Sequence, residues 1–199
     1  MVWYDSVSSY YEGLLQVANM QAFFLEHSAG FHTVEPHKIW KEYATDYYRM
    51  DGYYRQFHLC FQRCLKVSNS LLDDLFKHVV EKVEGLYSHW FLGQLGQNWS
   101  DAAADNLEQY GRILEVPQQL DFYRSKVKTN DNRVFVIISD AFRYEVAAEL
   151  SEQLRRETQS KVTLNSACGI FPTVTKFGMK QFKNDFLVKT LNMDLTVRK

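Results

Sequence analysis

The chain has 199 residues, a net charge of -1, 46% apolar and 15% aromatic residues, and only three prolines. That balance excludes a disordered chain and a broadly basic nucleic-acid coat. No apolar run approaches the ~20 residues that span a bilayer, and the start MVWYDSVSSYYEGL lacks the basic-then-apolar layout of a signal peptide, so no membrane contact and a cytoplasmic location are expected.

Residues 1–127 read as helix after helix. Tyr10, Leu14, Val17 and Phe24 recur near helical spacing, as do Trp40, Tyr43, Tyr47 and Met50, and then Leu71, Leu75, Val79 and Val83. Asp5 and Ser6 are candidate caps for the first helix. Pro36 suits the first position of a helix beginning near Glu35, where its missing N–H costs little. Gly85 is expected to interrupt the run ending at Val83, with another helix from Tyr87 to Trp99. Pro117 ends the segment Asn106 to Glu115, and Leu120 to Val127 suits one more short helix.

The three cysteines, Cys60, Cys64 and Cys168, give no disulfide framework. Cys60 and Cys64 are four apart in an aromatic helix, and without a second pair they read as buried thiols. All six histidines fall before residue 90 and lack tight metal-ligand spacing. The tyrosines between Tyr43 and Tyr54 suit either a stacking surface or helix packing.

At Lys128 to Asn132 the pattern changes. This polar turn opens onto Val134-Phe135-Val136-Ile137-Ile138, a run that predicts a strand buried on both faces. A helix follows over Ala141 to Thr158, with Val146, Ala147, Leu150 and Leu154 on its apolar face. A second strand is predicted over Lys161 to Asn165, which completes a βαβ unit with parallel strands. The expected organisation is therefore mixed: an all-α region over 1–127 and the start of an α/β region over 128–199.

Parallel sheets place chemistry at the carboxyl ends of their strands, and Asp140 lies at such an end. Its carboxylate suits a divalent cation or the N-cap of the next helix. No GxxxxGK[ST] or GxGxxG accompanies the strand, so nucleotide-binding loops are unsupported. Thr175, 35 residues further on, follows the loop marked by Gly169 and Pro172. A hydroxyl at a helix start is either a cap or a nucleophile beside a phosphate held by free N–H groups. From Lys161 onward, seven basic residues face two acidic ones, a net +5 that suits an anionic substrate, nucleic acid or a solvated tail.

Phe135-Val136-Ile137-Ile138-Ser139-Asp140-Ala141-Phe142-Arg143-Tyr144-Glu145, followed by Phe171-Pro172-Thr173-Val174-Thr175-Lys176-Phe177-Gly178-Met179, resembles the PglZ domain family. That family belongs to the alkaline phosphatase superfamily and occurs in bacterial Pgl and BREX phage-defence systems. The helical part resembles the region preceding that domain, notably at Tyr43, Asp51, Tyr54-Arg55 and Tyr87 to Trp99. The resemblance implies a metal-dependent phosphate-ester hydrolase using divalent ions, Zn or Mg. It makes Asp140 the first metal ligand and Thr175 the nucleophile, with Thr173 the fallback if the register slips by two. Arg143 and Glu145 match the family signature, Arg143 either contacting phosphate in a substrate-binding role or pairing with a carboxylate. The implied partners are other BREX or Pgl defence proteins, with a phosphorylated or nucleic-acid substrate. The superfamily needs further Asp and His ligands from later strands. Only 24 residues follow Thr175 and none is His, so a truncated member with little or no activity is expected. The alternative is a helical protein-interaction scaffold without catalysis.

Overall fold

The structure is a computed structural model that describes residues 2–67, 70–139, 142–159 and 161–169; side chains are described from residue 7 onward, except over 67–73. Its helices are α1 (Val2–Glu26), α2 (Pro36–Glu42), α3 (Tyr48–Val67), α4 (Ser70–Glu84), α5 (Gly93–Tyr110) and α6 (Tyr144–Glu157). Pro36 occupies the start of α2 as its sequence context dictates, with Glu35 extended before it. Asp5 and Ser6 lie inside α1 and do not precede it, so the capping expectation fails there.

Gly85 does not break the chain. Tyr43–Tyr47 joins α2 to α3, and Gly85–Leu92 joins α4 to α5, both as π-helical stretches. Each wide turn shifts the helical phase while the backbone ladder continues. That shift brings Tyr87, Phe91 and Leu95 onto one buried line although they span the junction. The real stop comes at Gly111, whose left-handed φ of 64° lets its N–H donate to the Leu107 carbonyl at 3.0 Å. The short helix anticipated before residue 128 is present as a 3₁₀ turn, Gln119–Asp121, and a π turn, Tyr123–Val127.

α1 packs along α3, and α4 with the Gly85–Leu92 stretch closes the bundle. The core is aromatic: Phe23, Phe57, Phe76 and Phe91 are fully buried with Met20 and Met50. Phe23 meets Phe91 edge-to-face at 5.8 Å, a geometry that the ring quadrupoles favour. The buried face of α1 runs through Tyr10, Gly13, Met20 and Phe23, so Leu14 is exposed and Phe24 only half-buried. Gly13 permits the close approach of Phe76, because a Cβ there would lie 2.9 Å from the ring's Cε1 atom. Cys60 and Cys64 are buried free thiols, and burial raises the Cys60 pKa.

The two predicted strands are not formed among the described residues. Val134 to Ile138 joins no ladder, with Phe135 80% and Ile137 94% exposed. A strand exists only through its ladder, and no described segment offers Val134 to Ile138 one. Along Lys161 to Ser166 alternate residues are turned inward, again without a ladder. Just beyond it, Cys168 makes a single parallel bridge with Gln118, in which the Gln119 N–H donates to the Cys168 carbonyl at 2.8 Å. The described residues are thus mostly helical, and they do not form the α/β start. The helix between the two segments is real but shorter than expected, and it packs the face opposite to the one anticipated. Glu145, Ala148 and Ser151 are buried, whereas Leu150 and Leu154 are exposed.

Candidate functional site

The described residues converge on a buried carboxylate. Asp51, in the first turn of α3, is only 4% exposed. Tyr43, from the π stretch before α3, donates to Asp51 Oδ2 at 2.6 Å. Tyr87, from the π stretch before α5, donates to Oδ1 at 2.5 Å. The Arg143 guanidinium approaches Oδ1 at 3.2 Å across 92 residues of sequence. A charge this deep persists only when its lone pairs are satisfied and its charge is balanced, and these three groups do both.

Tyr87 is itself fixed from the other side. Its ring stacks on Tyr54 at 3.7 Å with a 9° interplanar angle, and the Tyr54 hydroxyl donates to Glu84 at 2.8 Å. Glu84 also accepts from Ser88 and lies 3.1 Å from His58 Nε2. Burial works against the Glu84 charge, but these partners outweigh it and lower its pKa.

Arg143 is the residue at which extended chain turns into α6, with φ -72° and ψ 155°. Its Nε lies 3.1 Å from Glu145, whose carboxylate also faces Arg55 Nε at 3.8 Å. The Glu145 oxygens lack aligned hydrogen bonds, so their attraction to the two guanidinium groups is chiefly Coulombic. Arg55 also pairs with Glu149, to which Gln56 donates at 3.2 Å. Tyr144 donates to the Ala44 carbonyl at 3.0 Å. The charged face of α6 is therefore laid onto α3 and the turn before it.

Burial, followed by the nearby Asp51 charge, pushes the Tyr43 phenol well above its ordinary pKa of 10.0. Burial, followed by the hydrogen bond to Asp51, does the same for Tyr87. Burial and glutamate partners push Tyr47 and Tyr54 up to about 12. Each raised pKa means the folded state holds its phenolic proton more tightly than the unfolded chain. The resulting stability is complete below pH 10 and is lost as pH rises toward and beyond 12. Urea midpoints should therefore fall steadily above pH 10, and Tyr87→Phe should make that decline shallower. A flat midpoint across this window in the wild-type chain would contradict the assignment.

A second contact zone lies between α2 and α5. Trp40 Nε1 donates to Ser166 Oγ at 2.9 Å, and Cys168 is buried against Ala103, Ile113 and Val116. Beside it, Trp40, Trp99, Leu95 and Cys168 line an apolar pocket of about 340 Å³.

Of the sequence-predicted site residues, Arg143 is described, and its guanidinium faces the Asp51 and Glu145 carboxylates. Asp140, Thr173 and Thr175 lie outside the described residues. Among the described residues, no group of three or more His, Cys, Asp or Glu stands together to hold a metal ion. Nor, among them, is any helix long and apolar enough to cross a membrane. The tyrosines of 43–54 resolve into packing and hydrogen bonding: Tyr43, Tyr47, Tyr53 and Tyr54 are half-buried against the core. Sequence reasoning singled out Asp51, Tyr54, Arg55 and Tyr87 without seeing that they meet. The available signal was an aspartate beside Met50 on an otherwise apolar helical face.

A helical bundle that uses a buried acid to anchor the first turn of a following helix is the setting in which the alkaline phosphatase-like signature stands. Residues 122–195 match the family described as the BREX system PglZ alkaline phosphatase-like domain. The chain is 36% identical over 175 residues to the alkaline phosphatase-like protein BrxZ of Escherichia coli O9:H4 (strain HS), covering 85% of this chain and 20% of that protein. It is 33% identical over 180 residues to the alkaline phosphatase-like protein PglZ of Bacillus cereus (strain H3081.97), covering 89% of this chain and again 20% of the relative. The family match thus covers residues 122–195, and the chain spans about a fifth of the length of these curated relatives. No solved structure matches it significantly.

Proposed function

We propose that the chain contributes the helical region, over 1–127, and the front of the alkaline phosphatase-like region, over 128–199, to a BREX- or Pgl-type defence protein that hydrolyses phosphate esters. The observation that carries this reading is the family match over 122–195, which includes both Asp140 and Thr175. Relatives named BrxZ and PglZ support the defence setting, and other proteins of such a system are its natural partners.

In this reading the Thr175 hydroxyl, with Thr173 as the fallback, loses its proton and bonds to phosphorus as the ester's alcohol leaves, and water then releases the phosphate. Asp140 is one ligand of a divalent ion, Zn or Mg, whose bound charge lowers the pKa of a nucleophilic hydroxyl. The described residues do not supply the remaining ligands. Arg143 is the candidate for substrate binding, and its guanidinium also faces Asp51 and Glu145.

The test is hydrolysis of p-nitrophenyl phosphate by the natural full-length polypeptide with Zn²⁺ or Mg²⁺. Thr175→Ala is expected to lower kcat by at least ~10³-fold, the scale on which enzymes lose a nucleophile. An unchanged rate in both Thr175→Ala and Thr173→Ala would remove the nucleophile assignment, whereas a wild-type polypeptide without turnover would leave the scaffold reading, in which the helical region docks other defence proteins.

A further inference from the structure

We infer that the outer face of α1 is a self-association surface, through which two copies of the chain pair as antiparallel helices. It does not depend on the hydrolytic reading.

α1 buries one face through Tyr10, Gly13, Met20 and Phe23, and its opposite face is apolar too. Tyr11, Leu15, Ala18, Ala22 and Leu25 recur at alternating steps of four and three residues, which sets them in one line along the helix. Tyr11 is 69%, Leu15 57% and Leu25 64% exposed, and both alanines are exposed. Gly13 to Leu25 contains no ionisable side chain, and α1 as a whole contains no lysine or arginine. A helix face that stays in water carries charge, whereas a helix that is apolar on both sides is covered on both. Among the described residues, α3, α4 and the Gly85–Leu92 stretch meet only its inner side. Helices that lie on a bilayer surface carry Lys and Arg along their polar edge, and α1 has none.

The order of side-chain sizes along the line selects a second copy as the occupant. In an antiparallel pair centred on Ala18, that alanine meets its own counterpart. Leu15 of each copy then faces Ala22 of the other, and Tyr11 faces Leu25. Large opposes small on either side of the centre, so the two helices interdigitate at close range. A parallel pair would instead stack Leu15 on Leu15 and leave facing alanines across a gap. The charges fit the antiparallel arrangement as well. The middle of the line desolvates no ion. At each end Glu12 of one copy comes beside Glu26 of the other, which already pairs with Arg49 at 3.2 Å. Glu12 and Arg63 both lie near Cys60, so two guanidinium groups are at hand for the two carboxylates. The two-fold axis uses the same patch on both copies, which closes the assembly at a dimer.

The test is sedimentation equilibrium of the natural full-length polypeptide. A line of about four turns is small for a specific interface, so a dissociation constant on the order of 1–100 μM is expected. Leu15→Glu and Ala22→Glu each bring a charge into the apolar line and should weaken dimerisation by at least ~10-fold. Both positions are exposed, so the urea midpoint of the dilute protein should not change. Cross-linking reads the geometry independently. Under mild oxidation Ala18→Cys should yield a disulfide-linked dimer, because this position meets itself at the axis. Leu15→Cys alone should not, but mixed with Ala22→Cys it should. Cys60, Cys64 and Cys168 are buried, and the unsubstituted polypeptide oxidised alongside sets the baseline. A monomer at all concentrations, or a dimer that Leu15→Glu and Ala22→Glu leave intact, overturns the inference. So does Leu15→Cys cross-linking as readily as Ala18→Cys. A lowered urea midpoint for Leu15→Glu in the dilute monomer also overturns it, by placing another segment of the same polypeptide on this face.

Discussion

Phe91→Ala will cost about 3–5 kcal/mol in equilibrium unfolding, the range for removing a fully buried phenylalanine. The ring touches Phe23 and Phe31 edge-to-face, each at 5.8 Å, and its neighbour Tyr87 at the same separation. No side chain can refill that space without breaking another aromatic contact. Marginal domains hold only about 5–15 kcal/mol in total, so the loss should be visible as a large drop in the urea midpoint. Leu92, next in sequence and exposed, is the natural control, and Leu92→Ala should shift stability by less than about 0.5 kcal/mol. Similar midpoints for the two variants would mean that the Gly85–Leu92 stretch does not place Phe91 in the core.

The second large effect belongs to Arg143. Arg143→Ala leaves Asp51 buried with two phenol donors but no opposing charge. Breaking a fully buried pair costs about 3–5 kcal/mol. Arg143 is itself 55% exposed on its side chain, so solvent already screens part of the attraction and the expected loss is about 2–3 kcal/mol. The sharper expectation is the rescue: Asp51→Asn in the Arg143→Ala background should restore most of that loss, because the penalty is the stranded charge and not the missing contact. A double variant less stable than Arg143→Ala would show that the ion pair is not the source.

The sequence and the structure agree where local physics decides. Helical periodicity marked α1, α4 and α6, although it divided α5 into two segments, and the proline at the start of α2 behaved as its chemistry requires. They part where the outcome depends on partners far along the chain. The spacing of Tyr10, Leu14 and Phe24 marks a helix but not which edge of its apolar stripe is covered; α3 and the Gly85–Leu92 stretch choose Met20 and Phe23. Gly85 has low helix propensity, yet packing around Tyr87 and Phe91 carries the backbone through it as a π stretch. The run from Val134 to Ile138 has strand composition, but composition cannot supply the neighbouring ladder. In α6 the polar face is the buried one, because the surface it meets carries Arg55 and Asp51. The carboxylate centre was invisible for a related reason. Its members span Tyr43 to Arg143, and no short motif encodes a contact made across 92 residues.

That separation also has a history within each molecule. Synthesis delivers Asp51 and its two phenols before Arg143, which follows Tyr87 by 56 residues, and at roughly 5–20 residues per second the wait for the counter-ion is on the order of 3–11 s. Helical bundles condense in far less time. A nascent chain therefore spends that interval with its aromatic bundle able to close around an unbalanced aspartate. The arrival of α6 then completes the electrostatics of a core assembled before it.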